Sequence, residues 1–251
     1  MGMKFSGLLR YVGFLTEKRN MKLLDRRIKE AGDLPGESLL NARVLASRYE
    51  AVKLMPKGMV AAEVGVAYGD FSDFIIKTMQ PSHFYAIDFF NKNNPQISFW
   101  ERNDFKEAGM THEDWYRKRF ADLIRADKMT VCSGLSWDCL EQFEDDFFDY
   151  LYIDAGHDYE SVKRDIEVAV RKVKHNGYIQ FNDYILWDMF LGEYYGVVPA
   201  VNEMVRRTKS QILYYCFNLY RFDDIVVRLN KRGNDGENVY TVEVERELQR
   251  P

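Results

Sequence analysis

From about residue 38, short apolar segments that suit buried strands alternate with segments of helical periodicity. The apolar segments are residues 59–64, 84–87, 129–132, 147–153 and 178–181. This alternation predicts an α/β fold with a doubly wound, mostly parallel sheet whose two faces are both covered by helices. Residues 212–217 and 225–229 are expected to add two strands paired antiparallel, which gives seven strands with an antiparallel last strand.

The intervening helices are expected at residues 39–55, 71–79 and 197–207, with another opened by a capping box of Thr111 and Asp114. The clearest helix follows residue 158. Its apolar stripe comprises Val162, Ile166, Ala169, Val170 and Val173, and we expect it to end at residues 175–177, His-Asn-Gly.

The N-terminus differs in composition from the rest, because residues 1–30 hold eight Lys or Arg against three acids. We therefore expect two units: a basic helical appendage over residues 1–37 and the main domain over residues 38–251. The appendage is expected either to pack on the main domain or a second subunit of a homo-oligomer, or to contact an anionic surface.

Charge and cysteine content narrow the functional class. The formal net charge of −4 disfavours a nucleic-acid partner, and no segment approaches the roughly 20 apolar residues that a transmembrane helix needs. The cysteines are Cys132, Cys139 and Cys216, an odd number without a C-x-x-C pair. We expect all three to be small apolar residues of a reducing cytosol, and hence a cytoplasmic protein.

In a doubly wound sheet, ligands bind beyond the carboxyl ends of the strands. After the first strand, Glu63-Val64-Gly65 leads to Gly69, and two glycines four apart allow a close backbone turn. The dinucleotide fingerprint G-x-G-x-x-G fails in both registers. After the second strand, Asp88 lies 19 residues beyond Gly69, the spacing of a carboxylate that accepts ribose hydroxyls. After the third, Ser133 to Ser136 suit either an adenine edge or an ordinary turn.

The ends of the fourth and fifth strands carry Asp154, His157, Asp158, Asn182 and Asp183. Several hard oxygen ligands suit Mg²⁺ or Mn²⁺, and a single histidine suits a general base. Alternatively, Asp158 caps the next helix and His157 only hydrogen-bonds to it.

Acids around the pocket also discriminate between cofactors. Each carboxylate would oppose a pyrophosphate by roughly 1–4 kcal/mol, whereas the ammonium and sulfonium of S-adenosylmethionine favour acids. The acidic lining therefore selects a methyl donor over NAD.

Three segments carry a family resemblance: AEVGVAYGDFSDFII, YAIDFF and FDYLYIDAGHDYESVKRDIEVAVRKVKHNGYIQFNDY. Over residues 38–230 the sequence resembles a class I S-adenosylmethionine-dependent methyltransferase. It is most similar to the branch with macrocin-type sugar and small-molecule O-methyltransferases and cephalosporin hydroxylase relatives. The resemblance implies a Rossmann-like fold.

The resemblance also implies the roles of individual residues. Cofactor binding is expected of Glu63, Gly65, Ala67, Tyr68, Gly69, Ser72, Asp88, Ser133, Gly134, Leu135, Ser136 and Asp154. Catalysis is expected of His157, Asp154 and Asp183, and metal binding of Asp154, Asn182 and Asp183. Asn182 departs from relatives, which often have an acid or histidine there, so the metal site loses one charge.

The expected function is transfer of a methyl group from S-adenosylmethionine to a hydroxyl of a small-molecule acceptor such as a sugar, with Mg²⁺ or Mn²⁺ as a second cofactor. Two alternatives stay open. One is a non-catalytic binding or assembly module that keeps the fold, and the other is an iron-dependent hydroxylase-like relative.

Overall fold

The computed structural model describes residues 21–90, 104–219 and 222–232. The strands are β1 (Arg43–Leu45), β2 (Val60–Val64), β3 (His83–Asp88), β4 (Met129–Ser133), β5 (Phe148–Ile153), β6 (Val173–Phe181), β7 (Trp187–Asp188), β8 (Glu193–Tyr194), β9 (Gln211–Cys216) and β10 (Asp224–Arg228). The α-helices are α1 (residues 21–31), α2 (Arg48–Lys53), α3 (Asp70–Met79), α4 (Asp104–Glu107), α5 (His112–Arg119), α6 (Ala121–Arg125), α7 (Ser136–Glu141), α8 (Tyr159–Lys172) and α9 (Val197–Thr208). A 3₁₀ turn covers Gly36–Leu39.

Eight strands form one sheet in the order β1-β9-β10-β6-β5-β2-β3-β4, and β7 pairs with β8 in a separate hairpin. Strands β2 to β6 are parallel, whereas β10 runs antiparallel to both β6 and β9. The predicted fold class is therefore confirmed. The described part of the chain holds eight sheet strands rather than seven, because β1 adds to the edge beside β9.

Side chains of alternate residues on β5 show how the sheet separates two cores. Leu151 and Ile153 pack with the stripe of α8 and with α9, whereas Tyr150 and Tyr152 pack on the other face with α2 and α3. A strand buried on both faces has no polar side, which explains its apolar composition. The sheet is thus covered by helices on both faces, as the sequence predicts.

Two predicted helix boundaries are wrong. Residues 39–55 do not form one helix, because residues 43–45 pair with β9 in the register Arg43↔Tyr214 and α2 begins only at Arg48. Helix α8 ends at Lys172 rather than near residue 175, because Val173 already pairs with Phe148 of β5. Both errors arise from strand pairing between segments far apart in the sequence.

Helix α1 ends before Gly32, whose φ of +67° is the left-handed conformation expected at that position. Arg27 donates to Glu160 of α8 at 2.9 Å, and the Gly32 carbonyl accepts from Asn202 of α9 at 2.9 Å, so α1 packs on the main domain. Residues 1–20 lie outside the described ranges, and the boundary at residue 37 stays a prediction. Among the described helices, none has the length and apolar character needed to cross a bilayer.

Gly65 follows β2 directly and lies against the end of β5. Its φ is +83°, and a Cβ at this position would lie 1.7 Å from the Asp154 carbonyl oxygen. Gly58, in the turn before β2, has a similar φ of +75° but open space where a Cβ would stand. The two positions therefore differ in steric contact rather than in backbone conformation.

Gly65→Ala is expected to destabilise the protein by at least about 2 kcal/mol more than Gly58→Ala, since only the former forces two backbones apart. Urea unfolding of both variants and the wild type measures the difference. Equal losses of unfolding free energy would show that β2 and β5 can separate without cost.

Candidate functional site

A cavity of about 690 Å³ runs along the carboxyl ends of β2, β3, β4 and β5. Its size falls in the range of small-molecule sites. Its described lining consists of Arg48, Tyr49, Glu63, Val64, Gly65, Val66, Ala67, Tyr68, Asp70, Phe71, Ile87, Asp88, Phe89, His112, Gly134, Leu135, Ser136, Trp137, Asp154, Ala155, Gly156, His157 and Ser161. Ten of the predicted site residues are in this set.

The side chain of Glu63 lies in β2, just before the loop of residues 65–69, and is almost completely buried. Its carboxylate accepts a hydrogen bond from Ser72, whose hydroxyl in turn accepts one from Tyr116 at 2.8 Å. Burial raises the pKa of Glu63 well above its usual value. Ser72 and Gly69, both predicted to bind the cofactor, do not line the cavity. Ser72 instead supports Glu63 from behind, and Gly69 precedes α3.

Asp88 lines the cavity at the end of β3, where its carboxylate holds the neighbouring backbone. It accepts from the amides of Val66 at 2.8 Å, Ala67 at 3.3 Å and Phe90 at 2.7 Å. A carboxylate offers about four lone-pair directions, so one remains for a ligand hydroxyl. Asp88 therefore fixes the loop of residues 65–69, called the glycine loop below, and still faces the cavity.

The loop after β4 contributes Gly134, Leu135 and Ser136 to the lining, whereas the Ser133 hydroxyl turns away and donates to Glu113 at 2.9 Å. The Ser136 hydroxyl donates to Asp165 of α8 at 2.5 Å. Burial raises the pKa of Asp165 to about 6. The hydrogen bond from Ser136 to Asp165 thus holds this loop against α8.

A disulfide joins Cys132 on β4 to Cys139 on α7, with the Cα atoms 6.1 Å apart. The expectation that all three cysteines are free is therefore wrong, and only Cys216 is a buried thiol. The bond encloses the whole loop of residues 133–138. Since disulfides persist mainly in oxidising compartments, the cysteines no longer support a cytoplasmic location.

At the other end of the cavity, His157 lies between two acids. Its Nε2 is 3.5 Å from Asp154 Oδ1 and 3.4 Å from Asp183 Oδ2, both longer than a normal hydrogen bond, and this buried nitrogen has no hydrogen-bond partner. The carboxylates raise the pKa of His157 despite its burial. Burial and the nearby Asp154 raise the pKa of Asp183 to about 7.

Asp154, His157 and Asp183 are placed so that they could hold a metal ion, and the set of Asp154, Asn182 and Asp183 stays a prediction. One ligand atom from each of Asp154, His157 and Asp183 lies within 4.8 Å of the others. The Asn182 amide is used within the protein, since its Oδ1 accepts from Arg48 at 3.0 Å and its Nδ2 donates to Asp154 at 2.9 Å. Asp158 caps α8 by accepting from the Ser161 amide at 3.1 Å, as one alternative anticipated.

The ring of His157 stacks on Tyr195, with centroids 4.5 Å apart and planes at 8°. Tyr195 in turn donates to Asp188 at 2.7 Å, and the Gly196 amide donates to the His157 carbonyl at 2.7 Å. The β7–β8 hairpin therefore fixes the orientation of the imidazole. A histidine held in one orientation is suited to proton transfer at a defined atom.

Sequence reasoning missed several lining residues, notably Arg48, Phe71, His112 and Trp137. His112 opens α5, and its Nε2 lies 2.5 Å from the Ala67 carbonyl oxygen. Each of these residues lies on a helix that packs beside the strand ends, so its position in the cavity depends on helix packing and cannot be predicted from the strand ends.

Residues 62–184 match a family model described as a methyltransferase domain. A comparison with curated proteins gave no match. The matched segment begins within β2 and ends just after β6, so it includes every strand end that contributes to the cavity. Just under half of the chain therefore matches a methyltransferase domain, and the predicted resemblance to class I S-adenosylmethionine-dependent methyltransferases is confirmed.

Solved structures share the fold at low identity. Cofactor-bound Rv0187 from MTB has a TM-score of 0.51 at 16% identity, over 84% of this chain and 89% of that one. The O-methyltransferase TomG from Streptomyces achromogenes, solved with S-adenosylmethionine, has a TM-score of 0.51 at 11% identity, over 72% and 77%. An O-methyltransferase family protein from Burkholderia thailandensis has a TM-score of 0.51 at 12% identity, over 72% and 55%.

Some similar structures are of longer chains. The present chain spans 43% of a protein from Galdieria sulphuraria and 53% of the pyocyanin biosynthetic protein PhzM. The three structures with a TM-score of 0.51, all below 25% identical to this chain, show a common fold.

Reduction of the Cys132–Cys139 bond is expected to lower the unfolding free energy by about 2–3 kcal/mol, the chain-entropy value for a loop of this length. Urea unfolding with and without dithiothreitol measures this loss. The double variant Cys132→Ser/Cys139→Ser, which has no bond to break, should be insensitive to the reductant. Two free thiols at these positions in unreduced protein, detected by mass spectrometry, would contradict the pairing.

Proposed function

We propose that this chain transfers the methyl group of S-adenosylmethionine to a hydroxyl oxygen of a small acceptor such as a sugar. The observation that carries the proposal is the position of His157. It stands between two carboxylates at the end of a cavity whose other walls are the glycine loop, Asp88 and the loop of residues 134–136. Methyl donor and proton acceptor would thus share one enclosed space.

The cavity fits the methyl donor in charge and in shape. Glu63, Asp88 and Asp154 favour an ammonium and a sulfonium, and would oppose the phosphates of a dinucleotide. Gly65 leaves room for a ligand to approach the backbone. The loop of residues 134–136 offers backbone groups at the far end, where an adenine would lie.

S-adenosylmethionine supplies an electrophilic methyl carbon on a cationic sulfur. In the proposed reaction the acceptor oxygen forms a bond to that carbon, the carbon–sulfur bond breaks, and S-adenosylhomocysteine leaves with the electron pair. His157 Nε2 takes the hydroxyl proton, and Asp154 and Asp183 stabilise the resulting imidazolium. Positioning of the two substrates supplies much of the acceleration.

The same three side chains also fit a divalent cation, because His157 Nε2 is buried without a hydrogen-bond partner and faces two carboxylate oxygens. Bound Mg²⁺ or Mn²⁺ would lower the pKa of the acceptor hydroxyl. One histidine and two acids also suit iron, which keeps an iron-dependent hydroxylase-like activity as the second candidate. The first proposal assigns His157 the role of base and needs no metal.

S-adenosylmethionine and S-adenosylhomocysteine are expected to bind the wild-type protein in the micromolar range, whereas NAD should not bind measurably. Isothermal titration calorimetry tests all three ligands on one preparation. Asp88→Ala should weaken both adenosyl ligands at least about tenfold, because a charge-assisted hydrogen bond to the ribose is lost. Asp122→Ala, at an exposed acid of α6, is the matched control. Failure of both adenosyl ligands to bind would contradict methyl transfer and leave the iron-dependent activity or a non-catalytic role.

His157→Ala is expected to lower the rate of methyl transfer by about 100-fold or more, with S-adenosylhomocysteine affinity nearly unchanged, because a general base contributes in this range. The measurement is formation of S-adenosylhomocysteine in the presence of a pool of glycosides and other hydroxylated metabolites. His83→Ala removes a half-buried histidine at the start of β3, outside the cavity lining, and serves as control.

Chelation distinguishes the two roles of His157. Activity that survives exhaustive treatment with EDTA supports the base. Activity that EDTA abolishes and Mg²⁺ restores would make His157 a metal ligand, and iron in the purified protein would favour the second candidate.

A further inference from the structure

Arg48 stands at the first position of α2 and lines the cavity. It is the sole lysine or arginine among the lining residues that the structure describes, where Glu63, Asp70, Asp88 and Asp154 supply the acids. A single permanent cation in an acidic cavity marks the one place where a negative group of a ligand would be favoured.

Neighbouring elements hold the guanidinium in place through one of its nitrogens. Nη1 donates to the Tyr152 hydroxyl at 2.7 Å and to Asn182 Oδ1 at 3.0 Å, and the guanidinium carbon lies 4.7 Å from the centre of the Phe71 ring. These contacts come from β5, from the end of β6 and from α3. The orientation of the side chain is therefore set before any ligand arrives.

The opposite edge of the guanidinium is unused. Nε is buried without a hydrogen-bond partner, and Nη2 donates to no residue that the structure describes. Nε and Nη2 form the edge through which arginine binds a carboxylate with two parallel hydrogen bonds. Within the described ranges Arg48 forms no ion pair, and the carboxylates of Asp224 and Asp154 act on its charge from beyond ion-pair distance.

We propose that Arg48 binds the α-carboxylate of the methionine moiety of S-adenosylmethionine. The inference rests on the proposed function. It follows from charge, because the α-carboxylate is the one anionic group of that cofactor and would be repelled by the acids elsewhere on the cavity wall. It also follows from position, because Arg48 and Glu63 both line the cavity, and the family resemblance implies that Glu63 contacts the methionine moiety.

This role also gives the Tyr152 and Asn182 contacts a purpose in recognition. Asn182 connects Arg48 to Asp154 through its two amide atoms, at 3.0 and 2.9 Å. The carboxylate anchor and the acid beside His157 are thereby held at a fixed separation. A cofactor anchored at Arg48 would present its sulfonium to the His157 end in one position.

The test compares S-adenosylhomocysteine with its analogue lacking the carboxylate, 5′-deoxy-5′-(3-aminopropylthio)adenosine, by titration calorimetry. Wild-type protein should prefer S-adenosylhomocysteine by about 10- to 100-fold, the range of one or two charge-assisted hydrogen bonds. In Arg48→Gln the ratio of the two dissociation constants should fall to within about threefold of unity. A ratio measured on one preparation does not depend on the fraction of folded protein.

Arg48→Lys keeps the positive charge but loses the two-donor edge, and should give an intermediate ratio. Arg43→Gln removes an exposed arginine on β1 and should keep the wild-type ratio. A wild-type ratio near one, or an unchanged ratio in Arg48→Gln and Arg48→Lys, would overturn the role of Arg48. Absence of S-adenosylhomocysteine binding to the wild type would instead contradict the proposed function itself.

Discussion

The close approach of the β2 and β5 strand ends determines the shape of the whole site. The Asp154 amide donates to the Val64 carbonyl at 2.7 Å, the Gly65 amide donates to Ile87 of β3 at 2.8 Å, and no side-chain atom fits between Gly65 and Asp154. Backbone hydrogen bonds therefore join the three strand ends directly. Because the side chains of Asp88 and Asp154 extend from these fixed ends, their separation follows from the sheet and not from loop conformation.

Such a site concentrates acids, and the protein must accommodate their mutual repulsion. Glu63 is buried and accepts a hydrogen bond from Ser72, whereas the Asp88 carboxylate accepts hydrogen bonds from three backbone amides. Burial raises the pKa of Asp224 to about 8, although the positive charge of Arg48 acts in the opposite direction. The permanent positive charge of Arg48 offsets part of the remaining negative charge. A cationic ligand would complete this compensation, which is why an acidic cavity of this kind is consistent with a methyl donor and not with a dinucleotide.

Features with local signals could be predicted from the sequence. The apolar segments of β2, β5 and β10, the stripe of α8 and the cap at Thr111 all follow from neighbouring residues, and the structure contains each of them. Strand β1 has no such signal, since its three residues owe their conformation to pairing with β9 about 170 positions later. The Cys132–Cys139 bond was missed for a related reason. The cysteines are seven positions apart, and only the turn from β4 into α7 brings them together.

The site follows the same division. Residues directly after a strand, such as Asp88, Asp154 and His157, could be placed at the sheet edge because strand ends are predictable. Arg48 and His112 reach the cavity from helices whose positions depend on packing against α3 and on the aromatic cluster around Tyr68. Strand ends thus supply Glu63, Asp88 and Asp154, whereas flanking helices supply Arg48 and the aromatic walls. The strand ends therefore predict the acids that would face the sulfonium and the ribose. They do not predict Arg48, which would bind the carboxylate.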